Sequence, residues 1–287
     1  MSIKTAVLPV AGMGTRFLPA SKAQPKEMLS VVDKPVIQYI VEEAVESGIE
    51  QIIFVTAIGK RALENHFDRN FELEYRLKQR GKEDRLAKIL ELNDIAKFAF
   101  VRQPEPLGDG HAILTALPFV EKHEPIAVMF GDDIIDAKTP ALKQLISVYE
   151  KYEDPVVALQ EVPKEDVSSY GVIDGKSVGE NAWEIETFVE KPPIEEAPSN
   201  LAAVGRYVIT PDIFEILKTQ KPGKDGEIRL ADAFGTHLEN GRAMYGRVFD
   251  GDRYDCGSKF GYIKAQIELG VKHPEIGKEV KTYLKNR

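Results

Sequence analysis

The chain has 287 residues, 43% of them hydrophobic, which is enough for one large α/β domain or one domain with a modest insertion. Its 38 basic residues are outnumbered by 46 acidic ones, a net charge of −8, which argues against general nucleic-acid binding because that leans on neutralising phosphates. The lone cysteine, Cys256, excludes an internal disulfide, no apolar stretch has the length to span a bilayer, and the first residues enter a strand without a signal-peptide pattern, so a cytoplasmic protein without a membrane partner is expected.

Thr5 to Val10 (TAVLPV) reads as a short buried strand ended by Ala11-Gly12. After a glycine-containing loop, Gln38 to Ser47 has helical spacing with Gly48 as its stop, and Gln51 to Thr56 is a second buried strand. A helix begins over Arg61 to Asn65. Residues 71–93 carry dense mixed charge at helical spacing, the pattern of a solvated helical insertion. Phe98 to Arg102 is a strand, His111 to Leu117 a helix, and Ile126 to Phe130 a strand that runs into Gly131-Asp132-Asp133. In the second half Val156 to Val162, Gly171 to Ile173, Glu184 to Glu190, Ala202 to Ile209 and Ala243 to Phe249 are strand-like, with helices over Pro211 to Leu217, Leu230 to Glu239 and Lys259 to about Leu269. The alternation predicts an α/β fold: a Rossmann-like, mostly parallel mixed sheet flanked by helices, with a small β-rich subdomain.

The loop Ala11-Gly12-Met13-Gly14-Thr15-Arg16 sits where an open α/β sheet binds its ligand, beyond a strand's carboxyl end. The dinucleotide fingerprint fails here, because Phe17 stands in place of the third glycine. The P-loop fails too, because Gly14 is followed by Thr15-Arg16 rather than Lys-Ser/Thr. On its own the glycine pair reads equally well as an ordinary turn. Its continuation changes the balance: Arg16 and Lys26 stand close behind, and a glycine turn with fixed cations suits a triphosphate. Gly131-Asp132-Asp133 is either an exposed Asp turn or a pair of hard oxygen ligands for Mg²⁺. Gln103 in isolation is a surface loop residue, and Glu190-Lys191 a solvated pair. Cys256, beside Asp255, is poorly activated as a nucleophile and is expected to pack. The five histidines show no metal-ligand spacing.

Gly12-Met13-Gly14-Thr15-Arg16 followed by Pro25-Lys26 resembles the signature of the sugar nucleotidyltransferases. The longer string AGMGTRFLPASKAQPKEML, with DKPVIQYIVEEAVESGI, GDD, YGVID, VEKP and YDCGSKFGYIKA, is similar to the bacterial UTP–glucose-1-phosphate uridylyltransferases over nearly the whole chain, more weakly at the insertion and the extreme C-terminus.

The resemblance implies a single nucleotidyltransferase domain over 1–287. Its nucleotide-binding half is 1–135, with the insertion at 71–93, and its sugar-phosphate half is 136–287 with the C-terminal helix. It implies uridylyl transfer from UTP to glucose-1-phosphate, with Mg²⁺ as cofactor and a homodimer or homotetramer as the assembly. Arg16, Lys26, Asp132 and Lys191 are then catalytic. Ala11, Gly12, Gly14, Thr15, Glu27, Gln103 and Gly108 bind the nucleotide, with Gln103 reading the uracil edge. Gly171, Glu190 and Lys191 bind the sugar phosphate, and Asp132 and Asp255 hold the metal, with Asp133 in support. Arg206 is expected to be structural, and His111 to brace the Gly108 loop. The chain departs from the family pattern at Asp109, where an apolar or neutral residue is more usual. A carboxylate there repels a triphosphate unless it turns outward or helps a metal. Three other readings remain. Thymidylyl transfer lies within the same class. A regulatory subunit without activity would lose a metal carboxylate or a phosphate cation, and Arg16, Lys26, Asp132 and Lys191 are all present. A dinucleotide-dependent enzyme is opposed by Phe17.

Overall fold

In the computed structural model, which describes residues 2–179, 181–223 and 225–286, the apolar runs of the first half become parallel strands. β1 (Thr5–Pro9) leads through short 3₁₀ turns and a small hairpin, β2 (Ser30–Val31) and β3 (Lys34–Pro35), into α1 (Val36–Glu46) and β4 (Gln51–Thr56). Three helices follow, α2 (Arg61–Phe67), α3 (Phe71–Gln79) and α4 (Glu83–Asn93), and then β5 (Lys97–Arg102), α5 (Asp109–Ala116) and β6 (Ile126–Met129). The second half runs β7 (Asp133–Asp136), α6 (Ala141–Tyr152), β8 (Val156–Glu161), β9 (Gly171–Gly179), β10 (Ala182–Glu190) and β11 (Leu201–Ile209). It ends with α7 (Pro211–Thr219), α8 (Leu230–Glu239), β12 (Tyr245–Val248), β13 (Asp252–Asp255), α9 (Lys259–Lys272) and α10 (Gly277–Lys285).

Nine strands form one sheet in the order β5-β4-β1-β6-β11-β8-β12-β10-β9. The pairings from β5 to β6 are all parallel, as the strand–helix alternation requires. Beyond β6 they are antiparallel except for β12 with β8. β11 pairs with β6 through Arg206–Ile209 and with β9 through Leu201–Ala203, so the second half of the sheet curls back on itself. The switch falls at Gly205, where a Cβ would stand 2.8 Å from Phe130 Cβ and 3.0 Å from Asp133 Oδ2. Strand residues alternate between two apolar layers: Leu8, Ile52 and Phe54 share one with residues of α1 and α6, while Val7, Ile53 and Val55 share the other with residues of α5, α7 and α8. Burial on both faces explains why these strands read as continuous apolar runs.

The insertion at 71–93 is the helix pair α3–α4, with Asn70 Oδ1 accepting from the Leu73 N–H at 3.0 Å as its cap. The small β2–β3 hairpin and α10 lie outside the sequence-based assignment, as do two larger features. α6 has apolar residues at helical spacing, but it starts after Pro140 without a side-chain cap and ends on Glu153 at φ 58°, where glycine or asparagine is the usual signal. β7 and β13 form a short antiparallel ribbon in which Asp133 faces Asp255, a pairing no local pattern announces. Below this ribbon Arg206, fully buried, donates to Glu43 of α1 at 2.8 Å and to the carbonyls of Asp133 and Gly205 at 2.7 and 3.1 Å. The expectation that Arg206 is structural agrees with this geometry. No described helix is long and apolar enough to cross a membrane.

Candidate active site

Loops at the carboxyl ends of the parallel strands meet residues of the curled half around a cleft of about 1160 Å³. Ala11, Gly12 and Arg16 reach it from the segment after β1, Lys60 from that after β4, Gln103 from that after β5, and Asp132 from that after β6. Gly171, Glu190 and Lys191 close it from the other half. The residues expected at the phosphates and at the sugar, far apart in sequence, thus share one wall-to-wall space.

Gly14, Thr15 and Lys26 are not among the lining residues. Gly14 takes the left-handed conformation at φ 64°, its carbonyl accepts from Ser21 Oγ at 2.7 Å, and a Cβ there would lie 3.1 Å from Lys26 Cβ. Its part is to make the turn that brings Arg16 to the cleft and lets Lys26 reach Asp132. Glu27 differs from the expectation more sharply. It is 1% exposed and does not line the cleft; it lies beneath the loop and accepts from Lys60 Nζ at 2.8 Å. Burial pushes its carboxyl up, against the pull of Lys60 and Lys26. The cleft therefore receives the cation Lys60, which local sequence reading does not single out, and Glu27 holds it in place.

Lys26 Nζ stands 2.6 Å from Asp132 Oδ2. Burial opposes the Asp132 charge, but Lys26, with Arg253 and Arg206 behind it, holds the carboxyl below the usual carboxylate range. Lys26 is raised in turn, its own desolvation outweighed by Asp132. Asp133 is more deeply buried and accepts from Arg253 at 2.7 Å, while burial and then the neighbouring Asp132, against the pull of Arg253, push it up. Arg253 also donates to Tyr170 Oη at 3.3 Å, tying the ribbon to the sugar-side wall.

Asp255 comes within reach of Asp132 through the ribbon register. A Cβ on Gly257 would sit 2.7 Å from Asp132 Oδ2 and 2.9 Å from Asp255 Oδ1, so the two carboxylates converge over a gap that only glycine leaves open. Among the described residues no three His, Cys, Asp or Glu side chains gather as a metal cage. Two carboxylates beside a phosphate-sized space is nevertheless the donor set that Mg²⁺ takes, since substrate oxygens and water complete its shell. The residues fit that ion. Cys256, between them in the ribbon turn, is buried, and burial together with Asp133, Asp255 and Asp132 pushes its thiol up to about 12. It is no nucleophile.

Gln103 is 8% exposed, and its Nε2 lies 3.0 Å from the Gly108 carbonyl and 3.0 Å from His111 Nδ1. His111 therefore braces Gln103, which in turn holds the Gly108 loop. Gly108 itself is at φ 95°, and a Cβ there would meet the Ile228 carbonyl at 2.5 Å. On the facing wall Lys191 Nζ is 3.3 Å from Glu190 Oε1, and its backbone sits at φ 47°. A Cβ on Gly171 would lie 2.7 Å from the Phe188 ring and 3.1 Å from Glu190 Oε2, so glycine leaves the space in front of Glu190 free.

Asp109, the departure from pattern, lines the same cleft. Its Oδ1 accepts from Gly110 N at 2.7 Å and from Leu230 N at 2.9 Å, which caps the start of α8.

A model of the nucleotidyl transferase family matches residues 5–270. The chain is similar to a UTP–glucose-1-phosphate uridylyltransferase of Staphylococcus epidermidis, 50% identical over 283 residues that cover 99% of this chain and 98% of the relative. Among solved structures it is similar to a UDP-glucose pyrophosphorylase complexed with UDP-glucose, at TM-score 0.86 and 46% identity over 95% of this chain and 100% of that one. It is also similar to a UTP-bound UGPase from Acinetobacter baumannii, at TM-score 0.91 and 43% identity over 99% of both chains. With a family model spanning most of its length and a relative identical at half of the aligned positions, the chain belongs to the nucleotidyl transferase family.

Proposed function

We propose that this enzyme transfers the uridylyl group of UTP to glucose-1-phosphate and releases pyrophosphate, with Mg²⁺ as its cofactor. One observation carries the reading: Arg16 and, opposite it, Lys191 open onto one cleft beside the Asp132–Asp255 pair, with Lys26 bonded to Asp132 at 2.6 Å just behind the lining. A triphosphate and a sugar phosphate can lie side by side only where such charges offset their repulsion.

A phosphate oxygen of glucose-1-phosphate attacks the α-phosphorus of UTP in line, the bond to the β-phosphate breaks, and pyrophosphate leaves with the electron pair. The attacking monoester has a second pKa of about 6 and is largely dianionic at neutral pH, so no general base is needed. Catalysis is then positioning and charge stabilisation. Arg16 and Lys26 bind the triphosphate, with Lys60 fixed behind them by Glu27. Lys191 orients the sugar phosphate, Glu190 accepts from sugar hydroxyls, and Gly171 gives them room. Asp132 and Asp255 would hold Mg²⁺, which when bound would supply positive charge to the reacting phosphates, and Lys26, beside Asp132, would add its own charge there.

Uracil recognition falls to Gln103. Both amide hydrogens are directed to Gly108 O and His111 Nδ1, and its Oε1 makes no hydrogen bond among the described residues. That oxygen accepts from uracil N3–H and meets only a lone pair on cytosine N3. One nine-stranded sheet through both halves supports a single catalytic unit, divided near residue 135. Assembly as a homodimer or homotetramer is supported by Phe260 and Ile263, 80% and 53% exposed on α9. A cytoplasmic location belongs to the same reading.

Pyrophosphate release from five nucleoside triphosphates against several hexose 1-phosphates tests this. UTP with glucose-1-phosphate should be the best pair, and EDTA should abolish the reaction until Mg²⁺ is restored. Preference for dTTP would point instead to thymidylyl transfer, and activity indifferent to chelation would remove the metal.

A further inference from the structure

Asp109 is held between the two halves of the cleft. Two backbone links and one to the carboxylate strap its loop to the start of α8: Ile228 N to Leu107 O at 2.7 Å, Gly110 N to Ile228 O at 2.9 Å, and Leu230 N to Asp109 Oδ1 at 2.9 Å. This fixes the carboxylate at the cleft wall. Oδ1 is used by two backbone donors, and Oδ2 has no hydrogen-bond partner among the described residues. The charges that bear on it most are Glu190 and Glu227, both negative. The cations nearby are taken: Lys191 pairs with Glu190 at 3.3 Å, and Arg229 pairs with Asp225 and Glu227. Burial and those two carboxylates push Asp109 up against its two N–H donors, as befits a charge lacking a counterpart. Tyr207, between the walls, feels both Asp109 and Glu190.

We propose that Asp109 is a specificity-determining residue for the sugar: its free carboxylate oxygen and Glu190 together make the sugar end of the cleft a double acceptor. That end admits hexose 1-phosphates that present donors there. It favours amino-hexose 1-phosphates, whose ammonium is a charge-assisted donor, and it refuses hexuronic acid 1-phosphates, whose carboxylate meets two others. The inference rests on the reading that the sugar lies against Glu190 and Lys191. The ribose of the nucleotide offers the same donor chemistry, so the test must separate the two.

The wild-type enzyme is assayed with UTP against glucose, glucosamine and glucuronic acid 1-phosphates, and with 2′-deoxy-UTP in place of UTP. Asp109→Asn follows, because its amide oxygen can still accept from Gly110 and Leu230 while the charge is lost. In the wild type glucosamine 1-phosphate should be used within about tenfold of glucose 1-phosphate, and glucuronic acid 1-phosphate at least about a hundredfold less well. Asp109→Asn should lower the glucosamine-to-glucose ratio of kcat/KM about tenfold and raise the glucuronate-to-glucose ratio by a similar factor. Wild-type use of glucuronic acid 1-phosphate on a par with glucose 1-phosphate overturns the proposal without any variant. So do sugar ratios that stay within about twofold in Asp109→Asn. A change confined to the UTP-to-2′-deoxy-UTP ratio places Asp109 at the ribose and overturns it as well. Lys191→Ala serves as the separate check on the underlying reading. If the KM for glucose-1-phosphate rises there while the sugar ratios ignore Asp109→Asn, only the Asp109 assignment fails. If that KM is unmoved, the sugar site itself is misplaced.

Discussion

The two ends of the cleft are built on opposite principles. At the end proposed for the triphosphate three cations are already matched: Lys26 with Asp132 at 2.6 Å, Lys60 with Glu27 at 2.8 Å, and Arg253 with Asp133 at 2.7 Å. These pairs are wholly or partly buried, and beneath them lies Glu43–Arg206. At the sugar end Lys191 is 58% exposed and only 3.3 Å from Glu190, while Asp109 keeps an oxygen free. A matched buried pair holds its groups in place without a ligand, and removing one member strands the other. An open end depends on the ligand to complete it. The same kind of substitution should therefore damage the fold at one end and substrate choice at the other.

The largest effect is expected below the triphosphate end. Glu43→Ala leaves the Arg206 guanidinium buried without its carboxylate and removes the acceptor of the Leu142 N–H at 3.1 Å. A loss of about 3–5 kcal/mol in unfolding free energy should follow, read from urea denaturation. A loss below about 1 kcal/mol would mean that the ion pair does not hold the two layers together. Asp132→Asn comes next. It keeps a hydrogen-bond acceptor for Lys26 but is a poor Mg²⁺ ligand, so kcat at saturating Mg²⁺ should fall by at least about a hundredfold with little change in melting temperature. Near-normal turnover would remove Asp132 from the metal site.

The lysines compare the two ends directly. Lys191→Ala should raise the KM for glucose-1-phosphate more than that for UTP, by about tenfold to a hundredfold for a lost contact of about 1.5–3 kcal/mol. Lys26→Ala should instead impair kcat or the use of UTP. Equal effects on both substrates from both substitutions would dissolve the division of the cleft.

The two ends also differ in how far sequence reveals them. The strands from β1 to β6 are buried on both faces and separated by helices, so apolar runs such as Gln51–Thr56 mark them with little error. The loop after β1 carries its own signal in Gly12, Gly14 and Arg16. Lys60 and Glu27 carry none, because a charged residue paired inside the protein looks locally like one at the surface. Asp255 is distant from Asp132 along the chain and meets it only through the β7–β13 register. The curled half is legible as strands, but its closure through β9 and β11 depends on Gly205, whose crowding against Phe130 exists only after folding. Asp109 could be recognised as unusual; that it caps the start of α8, distant along the chain, could not.

The smallest effect concerns the base. The Gly108 carbonyl can only accept, so the Gln103 atom 3.0 Å from it is the amide nitrogen. His111 Nδ1, 3.0 Å from the same nitrogen, then acts as acceptor, which puts the ring proton on Nε2. Flipping the amide to suit cytosine would break one hydrogen bond and set oxygen against oxygen at Gly108. His111→Ala removes one of the two restraints and leaves the other. The UTP preference over CTP should narrow by about fivefold, the worth of one neutral hydrogen bond of about 1 kcal/mol. Gln103→Ala, which removes the reader itself, should narrow it further and weaken UTP use. Thymine presents the same pairing edge as uracil, so the ratio of UTP to dTTP should stay put in both variants. Competition assays with paired triphosphates measure these ratios directly. A CTP gap untouched in both variants would take Gln103 out of base recognition, and a dTTP ratio that moves in step with it would show that the cleft has distorted rather than lost a restraint.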